Sequence, residues 1–416
     1  MMLTTMSRIR LLAMGGCALL TLPLAVAAQQ QINDAGTFSL RGFGTAGLAR
    51  ASNGRAEVAR DLSQPEGASD HWTSKIDSNL GLQANYLASD ALEAVVQSVS
   101  RYNYRGNFSP ELTEALLKYD PSPFLSLRAG RVGTDFFMHG DSRLIGYSQL
   151  TARPNIDYFS PLAISFLDGA DAQLTVPLGD GLLRGKGYFG LLGEKLPFGG
   201  GYLNLRGSRA IGAYLDYQVE GWQWRGGMAQ IRFRHPLPST VDALQDELRA
   251  TGESAAAETA TALDLQGTHA RYYSAGVVHD HGPLTVQLML ARLRYESAAI
   301  QDQDSAMFLA GYRLGDFKPF VGYSRTRSHA ANLSSGVSGS YGATLDASLT
   351  ALLAESGADQ HTYTLGVRWD FRRDMAIKAQ LDMIRGKPDS LYTFRDETPD
   401  WNGRTRVVTV TLDFVF

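Results

Sequence analysis

Arg406-Val407-Val408-Thr409-Val410-Thr411-Leu412-Asp413-Phe414-Val415-Phe416 closes the sequence, and its period decides how the rest is read. Val408, Val410, Leu412, Phe414 and Phe416 share one face of an extended strand, while Val407, Thr409, Thr411, Asp413 and Val415 share the other. Alternation with one apolar face predicts a half-exposed strand.

The first residues predict export. Arg8 and Arg10 form a positive segment, Leu11 to Val26 an apolar one, and Ala25-Val26-Ala27-Ala28 a small-residue cleavage pattern, so residues 1–28 are expected to be a signal peptide. Cys17 is the only cysteine and lies within that segment, which leaves no thiol or disulfide chemistry to residues 29–416. Those 388 residues carry 37 basic and 42 acidic side chains, a balance that argues against nucleic acid as a partner. Nothing after residue 28 is long and apolar enough for a transmembrane helix. A membrane barrel remains compatible with this composition, because alternating strands average out their hydrophobicity.

Turns set the strand count. Tight ones are expected at 88–90, 120–123, 178–181, 219–221, 280–282, 314–316 and 370–374. Eight longer connections lie near 49–72, 103–110, 132–165, 192–206, 234–268, 295–304, 327–360 and 385–404. Seven short and eight long connections predict sixteen strands in an all-β, antiparallel transmembrane barrel occupying residues 29–416, with short periplasmic turns and long extracellular loops. The first strand is expected from about Thr37 to Leu48 and the second from Lys75 to Leu87. Aromatics gather beside the short turns (Tyr86, Tyr119, Phe124, Tyr217, Trp222, Phe317, Trp369, Phe371), as a girdle at one membrane interface requires. Gly42-Phe43-Gly44-Thr45-Ala46-Gly47 matches a dinucleotide-binding pattern, but no helix follows it; its glycines are expected to admit bulky neighbours on a curved sheet. Ser239 to Thr251 and Ala343 to Glu355 read as helices within loops, packed on the outer rim.

The third long connection carries Asp135, Phe136, Phe137, Met138, Asp141 and Asp157 between glycines. An exposed loop has little use for Phe136, Phe137 and Met138, so this one is expected to fold inward. Here the chain resembles the trimeric porins of Gram-negative bacteria: Leu125 to Arg131, the inward loop, and Phe166-Leu167-Asp168-Gly169-Ala170-Asp171 look like their fifth strand, constriction loop and sixth strand. Phe43 to Leu48 and the terminal Phe416 are similar too, although the loop lacks a Pro-Glu-Phe-Gly-like tip.

The resemblance implies a water-filled channel for passive diffusion of small hydrophilic solutes and ions, in the outer membrane. The partners it implies are outer-membrane lipids, a barrel-assembly machinery that reads Phe416, and two further copies in a homotrimer. Gly42, Gly44, Ala46, Val408 and Val410 are then candidates for the subunit contact. It also implies a transverse field, with acids Asp135, Asp141 and Asp157 on the loop facing bases on the wall. The basic side is expected to comprise Arg41, Arg101, Arg128, Arg131, Arg184 and Lys186, and the other lumen charges Glu93, Asp171, Arg225, Arg313, Arg368 and Lys378. Asp135 and Asp141 are expected across from Arg101 and Arg128. A substrate-selective channel and a barrel enzyme of lipase or protease type stay open. No GxSxG or HExxH is present, the eight histidines are scattered, and neither a catalytic residue, a metal nor a cofactor is expected.

Overall fold

The computed structural model describes residues 36–159, 163–198, 201–387, 394–395, 398 and 400–416; the expected signal peptide lies outside the described residues. Sixteen antiparallel strands close on themselves. They are β1 (Thr37–Ala51), β2 (Asn79–Ser89), β3 (Leu92–Arg101), β4 (Glu111–Ser122), β5 (Leu125–Gly133), β6 (Phe166–Leu178), β7 (Gly181–Leu192) and β8 (Arg209–Val219), then β9 (Trp222–Arg232), β10 (His269–His281), β11 (Leu284–Tyr295), β12 (Asp302–Tyr312), β13 (Phe317–His329), β14 (Asp359–Arg372), β15 (Met375–Gly386) and β16 (Arg404–Val415). All seven tight turns join the strands expected to flank them. The second strand starts later than expected, at Asn79, because Asp77 is drawn inward to Arg153 instead of continuing the ladder.

Closure is made by the quoted stretch. β16 pairs with β1 from Val415↔Phe43 to Val407↔Ala51. Beyond it the Gly42 N–H donates to the Phe416 carbonyl at 2.8 Å, and the Phe416 N–H returns a bond to Gly42 at 2.9 Å. Thr409, Thr411 and Asp413 on the inner face are fully buried, while Val408 and Val410 are 45% and 42% exposed on the outer one. The rings of Phe416 and Phe414 lie where the Cβ atoms of Gly42 and Gly44 would be, so those glycines serve the seam within one chain and are covered before any second copy approaches. Only glycine leaves that space.

Outward residues such as Leu215 (63% exposed), Phe189 (62%) and Ile211 (61%) cover the wall with apolar surface. A continuous face of this kind is far larger than water-soluble monomers show, and it fits a hydrocarbon surround. Near the short turns Trp222 stacks on Trp224 and Phe317 on Trp369, at 5.7 and 5.6 Å. At the other end α2 (Ser239–Ala250) and α4 (Gly339–Ala354) occupy the two helix-like stretches, joined by α3 (Ser254–Ala262), for which no helix is expected from the sequence. Leu248, Leu263, Leu345 and Leu349 are buried among them. Bonds from Thr259 to the Ser334 carbonyl (2.7 Å) and from Gln301 to the Leu353 carbonyl (2.6 Å) tie three loops into one cap.

The seam yields a test. Gly42→Leu collides with the Phe416 ring, and overpacking of this kind costs about 1–3 kcal/mol. Gly187, with open space at its Cβ position, is the control. Gly42→Leu and deletion of Phe416 should both lower the temperature at which the folded, heat-modifiable band is lost on gels, while Gly187→Leu should leave it unchanged.

Candidate functional site

Residues 134–159 and 163–165, the described part of the third long loop (L3), turn into the barrel because their apolar residues find cover there. The Phe136 ring lies 5.4 Å from that of Tyr188 on β7, and Phe137 lies 5.1 Å from Phe159 and 6.3 Å from Tyr272 on β10. Met138 fits against Gly276, where a Cβ would stand 3.3 Å from its sulfur. Phe136, Phe137 and Met138 are each 2–3% exposed, worth roughly 1.5–3 kcal/mol apiece.

A chain of alternating charges holds the same end of the loop. Arg128 on β5 meets Asp171 on β6 at 2.6 Å, and Lys186 on β7 lies 3.6 Å from Asp171 and 3.4 Å from Asp135 of L3. Asp135 then meets Arg225 on β9 at 2.7 Å, Arg225 meets Asp216 on β8 at 3.1 Å, and Arg184 lies 3.9 Å from Asp216. The Tyr214 hydroxyl also donates to Asp135, at 2.7 Å. Buried charges persist only when paired, and here each acid stands between two bases.

The far end of L3 is fixed to the opposite wall. Lys378 on β15, fully buried, donates to the carbonyls of Gly146 (2.7 Å) and Thr151 (3.0 Å) and pairs with Asp413 of the closing strand at 3.0 Å. Thr45 on β1 donates to Asp413 at 2.6 Å, and a side chain at Gly146 would collide with both. Arg368 on β14 donates to the carbonyls of Tyr147 and Gln149 at 2.6 and 2.9 Å. Arg153 takes both oxygens of Asp77 at 2.9 and 2.7 Å, one of Asp382 at 3.0 Å, and the Thr409 hydroxyl. In α1 (Ile156–Phe159), Asp157 accepts from Ser324 at 2.5 Å and Gln360 at 2.6 Å. Burial pushes that carboxyl up to about 6, against the pull of these donors.

No protein-family model matches the chain, and no curated protein matches it by sequence. Its fold is similar to that of an anion-selective porin from Comamonas acidovorans, with a TM-score of 0.54 at 13% identity over 92% of this chain and 100% of the other. Salmonella typhi OmpF in complex with daunomycin gives 0.53 at 12%, over 92% and 99% of the two chains. The outer membrane channel DcaP of Acinetobacter baumannii gives 0.53 at 11%, over 92% and 98%. This is a porin-like barrel.

Within this porin fold the expected site residues separate into several groups. Asp135 does not face Arg101 and Arg128 across a gap, since Arg225, Lys186 and Tyr214 use its oxygens. Asp157 is sealed between L3 and the wall and is no part of an acidic pore face. Asp141 is exposed at the loop tip, with no ion pair among the described residues. Arg101 ties the first long loop to the base of L3, donating to Ser63 at 3.0 Å and Ser165 at 3.3 Å and lying 3.6 Å from Asp61. Arg131 is not a lumen residue: it shares the outer face with Leu127 and Ala129, pairs with Asp168 at 2.7 Å and stacks on Phe166.

Arg41 sits on the lumen face opposite Gln83, exposed and without an ion pair among the described residues. Glu93 accepts from Asn85 at 2.6 Å, and Lys118 is its cross-strand partner. Arg313 lies just past the end of β12, 3.8 Å from Asp370 at the short-turn rim. Arg128, Arg184, Lys186, Asp171 and Arg225 belong to the charge chain, while Arg368 and Lys378 hold loop carbonyls. The sequence reading missed Arg153, Tyr214, Asp413 and the half-buried Glu114 as site residues. Only the inward alternation of the last three, read with the loop's path, could have pointed to them.

Two measurements test these anchors. Arg153→Gln leaves Asp77 and Asp382 buried without their cation, which costs about 3–5 kcal/mol; a lower unfolding temperature and larger or noisier conductance are expected. For Asp157, the raised pKa means the folded state holds a proton that the unfolded state loses first. Stability should therefore fall as pH rises from about 4 to about 6 and level off above that. In Asp157→Asn that contribution should disappear, read as a flatter dependence of unfolding temperature on pH.

Proposed function

We propose that the protein is a passive channel of the Gram-negative outer membrane, admitting small hydrophilic solutes and ions past L3. The observation that carries this is a loop pinned at both ends inside a closed barrel whose remaining lumen face is polar and partly exposed. That face includes Arg41, Lys118, Arg128 and Arg184 among the bases and Glu93, Glu114 and the tip residue Asp141 among the acids. Charges of both signs along one passage orient dipolar solutes and weigh ions by sign. The reading extends to export by way of residues 1–28, assembly through Phe416, and a homotrimer.

For the subunit contact we favour the outer wall of β2 to β6. Leu80, Leu82, Val96, Leu117 and Leu174 are exposed there, and the charges on that face reduce to the mutually paired Arg131 and Asp168. A closed ring of copies would cover such a wall.

Purified protein in a planar bilayer should give stable ohmic conductance, and absence of any conductance would remove the channel reading. Asp141→Asn should shift the reversal potential toward anions and Arg128→Ala toward cations. Both shifts should shrink in molar salt, where the screening length is ~3 Å.

A further inference from the structure

The mouth of the β8–β9 hairpin carries two arginines face to face. Arg209 and Arg232 are direct cross-strand partners on the outer wall. Arg206 and Arg234 lie three and two residues further toward the long loops, and all four are exposed. Among the described residues no carboxylate lies within 4 Å of any of the four. Along the row, Asp168 lies two strands from Arg209 by way of Leu191 and is taken by Arg131 at 2.7 Å, while on the other side Glu296 is engaged by His269 at 2.8 Å and Arg271 at 2.5 Å. Like charges on facing strand positions repel, so this arrangement calls for an anion from outside the chain.

What lies below the arginines narrows the choice of anion. Leu191, the partner of Arg209 on β7, is 45% exposed, and Phe189 and Ile211 on the same outer face are 62% and 61% exposed. Cations above an apolar wall, at the long-loop end of membrane-crossing strands, match a phosphate head carried on acyl chains. The planar guanidinium forks suit a phosphate's oxygens, which they can bind two at a time.

We propose that Arg209 and Arg232, supported by Arg206 and Arg234, clamp the phosphate of a phosphomonoester lipid in the leaflet on the long-loop side. The clamp rests on the membrane-barrel reading but not on the channel reading, so conductance through the lumen should be the same with and without it.

The test is native mass spectrometry of the full-length protein in micelles doped with phosphatidic acid or with diacylglycerol, which differ only in the phosphate. Wild type should retain phosphatidic acid on the order of tenfold more than diacylglycerol, and Arg209→Gln with Arg232→Gln should remove most of that preference. Millimolar inorganic phosphate should displace little of the bound lipid. The proposal is overturned if wild type does not distinguish the two lipids, or if a folded double variant retains as much phosphatidic acid as wild type. It is also overturned if inorganic phosphate displaces the lipid at equal concentration, which would make this a soluble-anion site. A changed copy number with unchanged lipid retention would overturn it as well, assigning the arginines to a contact between copies. The wild-type comparison stands even if the double variant fails to fold.

Discussion

A strand edge left open in hydrocarbon exposes a row of unmatched N–H and C=O groups, and every other feature of this protein depends on avoiding that. The last strand meets the first over nine residue pairs, and Phe416 adds two further backbone bonds with Gly42. The apolar face of β16 looks outward, so its other face must look inward, which places Thr409, Thr411 and Asp413 inside the barrel. Asp413 in turn fixes Lys378, and Lys378 fixes L3. One pairing register therefore reaches from the seam of the wall to the width of the passage.

Inside the barrel the organising force is the cost of burying charge. Asp135, Arg153 and Lys378 lie almost out of water, and each is matched by opposite charge or carbonyl oxygen from a different wall. These matches turn L3 into a bridge between β7–β10 on one side and β14–β16 on the other. Its apolar residues contribute the bulk of the burial, and its charges select the path. Because both ends are held, the exposed tip around Asp141 has a fixed support.

The outer wall is uneven in a way the inner one is not. From β2 to β6 its charge reduces to one paired arginine and aspartate, whereas the mouth of the β8–β9 hairpin carries four arginines without carboxylate partners among the described residues. Such a division gives one wall two kinds of neighbour: apolar surface where another protein can seal out lipid, and cations where a phosphate can settle above acyl chains.

The sequence by itself determined the number of strands, their turns and the face each residue takes. Period-two alternation and turn chemistry act over a few residues and need no partner to be legible. The same logic applied strictly would have put Arg131 outside, three places from the inward Arg128. The inward course of L3 was legible from Phe136, Phe137 and Met138, which have no use in water. Its anchoring was not: Asp135 finds Lys186, Tyr214 and Arg225 at separations of 51, 79 and 90 residues, and Arg153 finds Thr409 at 256. Nothing local records such distances. Which acid is consumed by an anchor and which is left exposed was decided only when the barrel closed and brought its walls within ion-pair reach of the loop.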